Sequence, residues 1–258
     1  MNEKMSIEFT LLVNNCLGCT ICPQDKLGDA YTSKTRRMSP EDFVTILGKL
    51  PLAVRIDFSG FNEPYLHPAC ATFIIMAITR GFKVHVYSTL MGMREKQAKH
   101  LAVHEPEYFR VHVPDRTHLR INDDLWIRQH EIFLASGIHG SYMAMDYPTD
   151  KVREYLLDKK GIEVELPTMI SRAGNLEFMR PEKKTGPIRC AAERWHSNVV
   201  LPNGDVVACC MDWSLTLPVG NLLAQSYDEI FAKASEYEAN TDPPDDSICR
   251  TCEWSAPL

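Results

Sequence analysis

Runs rich in β-branched and aromatic residues alternate along the first two thirds of the chain with longer segments whose apolar residues recur every three or four positions. The extended runs are Ile7 to Val13, Ala53 to Phe58, Lys83 to Tyr87, Tyr108 to Val113, His139 to Met145 and Ile162 to Leu166. The helical pattern falls on Pro40 to Lys49, Pro68 to Arg80, Met93 to Val103, Asp124 to Ala135 and Asp150 to Lys159. Strand and helix in strict alternation imply βαβ units around a parallel sheet, because a crossover helix is what returns the chain to pair the next strand in the same direction. The expected fold is α/β, a partial (β/α)6 TIM-like barrel. In such barrels the loops that follow the strands gather at one face, and chemistry is placed there.

After Leu166 the alternation fades. The charged Pro/Gly stretch Arg180 to Pro187 reads as a linker and sets a domain boundary, with 1–183 as barrel and 184–258 as a smaller unit. In the second unit Asn203-Gly204, between Val199-Val200-Leu201 and Val206-Val207-Ala208, signals a β-hairpin. A helical pattern over Ser226 to Tyr237 follows it.

Composition narrows the function classes. The chain has 258 residues, 45% hydrophobic and 24% charged, enough to bury a core without covalent staples. A formal net charge of -6 argues against a basic face for nucleic acid. The longest apolar stretch, around Ala71 to Thr79, is far short of the roughly 20 residues that span a bilayer. The start lacks the pattern of a secretory signal, so a cytoplasmic protein is expected. In a reducing compartment 9 cysteines are better candidates for metal ligands than for disulfides.

Their spacing carries the chemistry. Cys16-Leu-Gly-Cys19-Thr-Ile-Cys22 presents thiols that one loop can bring to three corners of a single iron-sulfur cluster. No fourth thiol follows nearby, so one iron would stay open to a substrate or cosubstrate. A zinc site completed by His67 or a distant cysteine, or an electron-transfer loop, fits the same triplet. Near the end, Cys190, Cys209, Cys249 and Cys252 supply ligands for one closed site, and either zinc or a cluster satisfies that count. Cys70 reads as a core residue.

A cysteine triplet after the first strand of a β/α alternation resembles the radical S-adenosylmethionine (SAM) superfamily. The family's usual spacing is C-x3-C-x2-C. This chain has one residue fewer between Cys16 and Cys19, and Ile21 where an aromatic often stands. The resemblance implies that the open iron of a 4Fe-4S cluster chelates SAM. Phe58-Ser-Gly-Phe-Asn-Glu-Pro-Tyr-Leu-His-Pro68 is similar to the family's Gly-Gly-Glu-Pro stretch, with Asn62 in place of a glycine. It implies that Gly60, Asn62 and Glu63 cradle the SAM amino group. Ser88 and Thr89 after the third strand, and His112 with Asp115 on or after the fourth, stand where the family contacts SAM. As helix caps or a core histidine the same residues would serve structure alone.

Arg172, in Ser171-Arg-Ala-Gly174, resembles an Arg-x-Gly stretch found near the substrate in similar enzymes, and a solvated surface arginine is the alternative. Residues 190 to 252 resemble the shortened twitch version of the SPASM domain, which implies a second 4Fe-4S cluster on Cys190, Cys209, Cys249 and Cys252. Cys210 is then a candidate hydrogen donor, an alternative ligand or a buried neighbour. A closed second cluster suits acceptance of an electron. The expected reaction is thus a two-electron oxidation of a small polar molecule after SAM cleavage, with an external donor such as flavodoxin or ferredoxin. Epimerisation, peptide modification and a non-catalytic iron-sulfur or zinc protein are the alternatives.

Overall fold

The structure is a computed structural model that describes residues 5–13 and 17–258, so Cys16 lies outside the described residues. The chain opens with β1 (Ser6–Phe9), α1 (Gln24–Ala30), α2 (Pro40–Lys49), β2 (Arg55–Phe58), α3 (Cys70–Thr79), β3 (Val84–Ser88) and α4 (Glu95–Leu101). It continues with β4 (Tyr108–His112), α5 (Asp123–Ala135), β5 (Ser141–Met143) and α6 (Asp150–Arg153). Then come β6 (Ile188–Cys190), β7 (Ser197–Val200), β8 (Asp205–Val207), β9 (Pro218–Asn221), α7 (Tyr227–Ala239) and β10 (Ser255–Pro257).

Strands β1 to β5 pair in parallel, in chain order, as the alternation requires. Each strand is two-sided. Ile7, Phe9, Ile56, Phe58, Val84, Val86, Phe109 and Val111 face the helices and form the main core. Glu8, Arg55, Asp57, His85, Tyr87, Arg110 and His112, at the alternate positions, line the inside of the barrel. The helices are set by local chemistry. In α2 the Ser39 hydroxyl accepts from Asp42 N, Pro40 stands in the first turn, and Phe43, Ile46 and Leu47 are buried at helical spacing. Phe43 stacks on Phe73 of α3 at 4.3 Å and meets Phe9 of β1 at 5.0 Å.

Two expected elements take a different form. The sixth strand is a single parallel bridge, Met143 to Glu165, since Pro167 follows within two residues and cannot donate to a ladder. The helix expected over Asp150 to Lys159 is α-helical to Arg153 and widens to a π-turn over Glu154–Lys159.

The C-terminal hairpin continues the barrel sheet instead of forming a separate one. Strand β7 pairs in parallel with β1, and β8 and β9 extend the sheet antiparallel, giving the eight-stranded order β5-β4-β3-β2-β1-β7-β8-β9. Gly204 makes the β7–β8 turn at φ +84°. Helix α7, capped by the reciprocal Ser226–Glu229 box, covers β9. Strands β6 and β10 form a separate antiparallel pair. From Lys184 onward the linker bonds to the C-terminal segment, with Lys184 N donating to Arg250 O at 2.8 Å and Ile188 N to Thr241 O at 2.7 Å. Among the described residues no helix is long and apolar enough to cross a membrane.

Candidate iron-sulfur and cosubstrate site

The loop that carries Cys19 and Cys22 is gripped by three other loops at the mouth of the barrel. Thr20 N donates to His118 O at 3.1 Å, and its hydroxyl meets His118 Nδ1 at 2.8 Å. Gln24 Nε2 donates to Phe61 O at 2.6 Å, after β2. Arg172 Nε donates to Ile21 O at 2.8 Å. A hydrogen bond from Cys22, helped by the Arg172 charge, lowers the Cys19 thiol below its ordinary value against the cost of burial.

Cys19 and Cys22 form one wall of a cavity of about 660 Å³ that occupies the barrel interior. Gly60, Asn62, Glu63, His112, Arg172 and Cys210 line the same cavity, so the structure brings most of the expected site residues together. Ser88 does not line it. Its buried hydroxyl donates to Glu63 Oε1 at 2.7 Å, and that explains its place at the end of β3.

The loop after β2 is built on Glu63. Its carboxylate accepts from Ser88 Oγ, from Thr89 N at 2.6 Å and Oγ1 at 2.7 Å, and from Tyr65 N at 3.0 Å. Burial raises the carboxyl's pKa and these bonds oppose that rise. Asn62 Oδ1 accepts from Glu63 N at 2.7 Å, while its Nδ2 is buried without a partner. Gly60 sits at φ +61°, and a Cβ there would stand 2.3 Å from Thr10 Oγ1. Glycine is therefore required by the close approach of this loop to the end of β1.

Across the cavity, Asp115 Oδ1 accepts from Thr117 N at 2.9 Å and Leu119 N at 3.3 Å, whereas Oδ2 is buried and unpartnered. Trp213 Nε1 is likewise buried and unpartnered. Orphaned donors and acceptors on the wall of one cavity are what a polar, zwitterionic ligand would satisfy, and the residues present fit a SAM-sized cosubstrate in this respect. His112 is pushed down to about 4 by burial, then by Arg172 and Arg110, so it faces the cavity as a neutral imidazole.

Arg172 lies in a left-handed turn, with φ +52° at Arg172, +57° at Ala173 and +75° at Gly174. The Glu253 carboxylate holds this turn by accepting from Ser171 N and, at 3.2 Å, from Ala173 N, and Thr251 Oγ1 donates to Ala173 O at 2.8 Å. The turn thus bridges the Cys19–Cys22 loop and the C-terminal cysteine segment.

In that segment Cys190, Cys209, Cys249 and Cys252 line a second cavity of about 270 Å³. Cys190 comes from β6, Cys209 from the turn after β8, and Cys249 from the short turn Ile248–Thr251, with Cys252 directly after it. The buried guanidinium of Arg250 ties the surrounding loops, donating to Gly186 O at 2.5 Å, Asp242 Oδ1 at 2.5 Å and Pro243 O at 2.6 Å. Burial pushes Cys252 up to about 11 and raises Cys249. Among the described residues no three His, Cys, Asp or Glu groups converge as tightly as one metal ion needs.

Sequence reasoning passed over Glu8, Trp213 and Arg194, which also line the barrel cavity. Glu8 had a signal, a charge in the middle of an otherwise apolar strand.

Residues 190–253 match the SPASM family, described as an iron-sulfur cluster-binding domain. That match includes the four cysteines of the second cavity. The C-terminal segment is therefore similar to an iron-sulfur cluster-binding domain. A search of curated proteins finds no match. Among solved structures, BtrN in complex with AdoMet and 2-DOIA is 18% identical, with 96% of this chain and 92% of that one covered at a TM-score of 0.64. anSMEcpe with bound AdoMet is 14% identical over 96% and 83%, at 0.62. SuiB of Streptococcus suis bound to precursor peptide SuiA is 10% identical over 96% and 69%, at 0.55. These likenesses establish the fold, a partial barrel with a C-terminal SPASM-type extension.

Proposed function

We propose that the chain is a radical SAM enzyme that oxidises a small polar metabolite by two electrons. The observation that carries this reading is the relation of the two thiol sites to one polar cavity. The Cys19–Cys22 loop forms one of its walls, and the C-terminal site begins one residue behind Cys210 on the same lining. Cys16 would complete the N-terminal ligand set, leaving one iron open. SAM bound there supplies, on one-electron reduction by an external flavodoxin or ferredoxin, the group that removes a hydrogen atom from substrate.

The protein's own residues do the rest. Glu63 fixes the loop that presents the free Asn62 amide donor, and Asp115 offers an acceptor opposite. Neutral His112 can donate to or accept from a bound ligand without adding charge. Arg172 supplies a fixed positive charge beside the cysteine loop. The charged and phenolic inner faces of β1 to β4 suit a ligand with hydroxyl or amino groups. Cys190, Cys209, Cys249 and Cys252 would hold a second cluster, which would supply an acceptor for the second electron. This reading is supported by the likeness to BtrN, whose solved structure holds AdoMet and 2-DOIA.

A second reading has one specific observation behind it. Cys210 lines the barrel cavity and not the cluster cavity, where it could return a hydrogen atom to substrate and make the reaction an epimerisation. Peptide modification draws only on the peptides bound to anSMEcpe and SuiB.

The test is anaerobic reconstitution with iron and sulfide, followed by reduction with SAM. Roughly eight irons per chain and release of deoxyadenosine are expected. Zinc in place of iron, or spectra indifferent to SAM, would refute the reading. Turnover in D2O separates oxidation, which puts no solvent deuterium on carbon, from epimerisation, which does.

A further inference from the structure

The barrel interior holds several carboxylates, and Glu8 stands apart from the others. Asp57 is clamped by Arg55, with Nε to Oδ1 and Nη2 to Oδ2 both at 2.7 Å. Glu165 pairs with Arg110 at 2.5 Å. Glu63 is consumed by the loop it organises. Asp115 uses one oxygen in its own turn, and its charge is felt at Cys19, which places it on the cosubstrate side. Glu8 differs. It is 8% exposed, and among the described residues no cation lies within ion-pair distance of it.

The neighbours of Glu8 are weak partners. Ser59 Oγ approaches Oε2 at 3.4 Å, and Cys210 makes the other hydrogen-bond contact. Arg194 lowers its proton affinity, yet that guanidinium is stacked on Trp254 at 4.5 Å. Burial, Cys210 and Asp57 raise the carboxyl above its usual range, which makes its ionised form a stronger proton acceptor. An unpaired buried carboxylate in the middle of a core strand is costly and needs a use. Strand β1 lies between β2 and β7, so Glu8 stands where the barrel floor meets the C-terminal hairpin.

We propose that Glu8 accepts the hydroxyl proton of an alcohol substrate during its oxidation. The inference rests on the reading of the site as a radical SAM dehydrogenase and names the base for that reaction. The carbinol C–H breaks with its hydrogen atom leaving to the 5' carbon of the cosubstrate's adenosyl group, which becomes deoxyadenosine. The O–H breaks with its proton going to the Glu8 carboxylate. The one electron that remains on the substrate would pass to an oxidised iron-sulfur cluster, which Cys190, Cys209, Cys249 and Cys252 would hold. Carbon is oxidised by two electrons to a ketone, and Glu8 returns its proton to solvent between turnovers.

The experiment uses the reconstituted full chain with SAM, a one-electron reductant and, as probe, an aminocyclitol deuterated at its carbinol carbons. Wild type is expected to deliver deuterium to deoxyadenosine and to form ketone in step with it. In Glu8→Gln, which keeps the shape and removes the base, probe affinity by calorimetry should stay within about threefold while the ratio of ketone to deuterated deoxyadenosine falls at least tenfold. Glu8→Asp, which keeps a carboxylate, should recover part of that ratio. An unchanged ratio in Glu8→Gln overturns the proposal, as does loss of probe binding together with deuterium transfer, which would make Glu8 an anchor only. Wild type that makes deoxyadenosine without taking deuterium from the probe overturns the substrate class. Wild type that makes no deoxyadenosine at all defeats the underlying functional reading instead.

Discussion

Cys209 and Cys210 are adjacent in sequence and line different cavities, Cys209 the C-terminal thiol cavity and Cys210 the barrel interior. Strand β8 ends at Val207, and the turn that follows lets neighbouring side chains face opposite ways. This geometry favours Cys209 over Cys210 as the proposed ligand. Cys209→Ser should therefore cut the iron content of reconstituted protein from roughly eight to roughly four, whereas Cys210→Ser should leave it unchanged. The opposite pattern in iron and sulfide analysis would exchange the two roles.

The turn at Arg172 makes a second prediction. A Cβ on Gly174 would stand 2.9 Å from Thr251 Oγ1, and the residue holds φ +75°. Gly186 has a similar φ of +71° with open space around it. Gly186→Ala should cost about 1 kcal/mol, the backbone penalty alone. Gly174→Ala carries that penalty and must also displace Thr251, which donates to Ala173 O, so about 2–3 kcal/mol is expected. Urea midpoints of the two variants provide the comparison. Equal losses would mean that the turn does not press on the C-terminal segment.

Buried His130 ties stability to pH. It is enclosed in the core, with Nδ1 2.9 Å from Tyr155 Oη and Nε2 2.8 Å from Tyr142 Oη. Tyr155 Oη donates to Glu131 Oε1, so it accepts from Nδ1–H, and Nε2 accepts from Tyr142. Burial lowers the folded-state pKa to about 4, below the unfolded value near 6.5. The unfolded chain therefore takes up a proton that the folded chain refuses. The resulting stability is fully present above about pH 6.5 and is lost as pH falls toward 4, about 3 kcal/mol for a shift of this size. The difference between wild type and His130→Gln in urea titrations at pH 7.5 and 4.5 isolates this residue from other titrating groups. Wild type should lose more on acidification than the variant, and equal losses would refute the assignment.

The two-sided strands explain how much of this was readable in advance. In Ser6-Ile-Glu-Phe9 and Arg55-Ile-Asp-Phe58, apolar residues at one parity pack on helices and charges at the other parity face inward. The element order followed from those residues because period two and period 3.6 are both strong there. The sixth strand did not follow, since Ile162 to Leu166 carries the alternation but Pro167 ends the ladder. Nor did the union of hairpin and barrel in one sheet, because β1–β7 pairing joins Ser6 to Ser197, about three quarters of the chain apart, and leaves no local trace. Among site residues, the cysteine spacing located both thiol sites. Only the fold could separate Cys209 from Cys210, give Ser88 to Glu63 instead of to a ligand, and show that Glu8 lacks a cation.

Glu63 provides the last prediction, because its two oxygens serve four donors from the loop after β2 and the end of β3. Replacement by Gln keeps the volume and one acceptor oxygen. The new amide nitrogen must then face either the Thr89 N–H or the Ser88 and Tyr65 donors. A hydroxyl can rotate to accept, but a backbone N–H cannot, so at least one buried amide loses its partner. The expected cost is about 1–3 kcal/mol in denaturant titrations. Function should suffer in a defined way. The Asn62 side chain accepts from Glu63 N, so a shift at 63 moves the free Asn62 amide on the cavity wall. Glu63→Gln should weaken SAM binding at least tenfold in the reconstituted protein while leaving the iron content intact, since the Glu63 carboxylate bonds to Tyr65, Ser88 and Thr89. Unaltered SAM affinity at a lowered stability would confine Glu63 to the scaffold and remove the β2 loop from the proposed cradle.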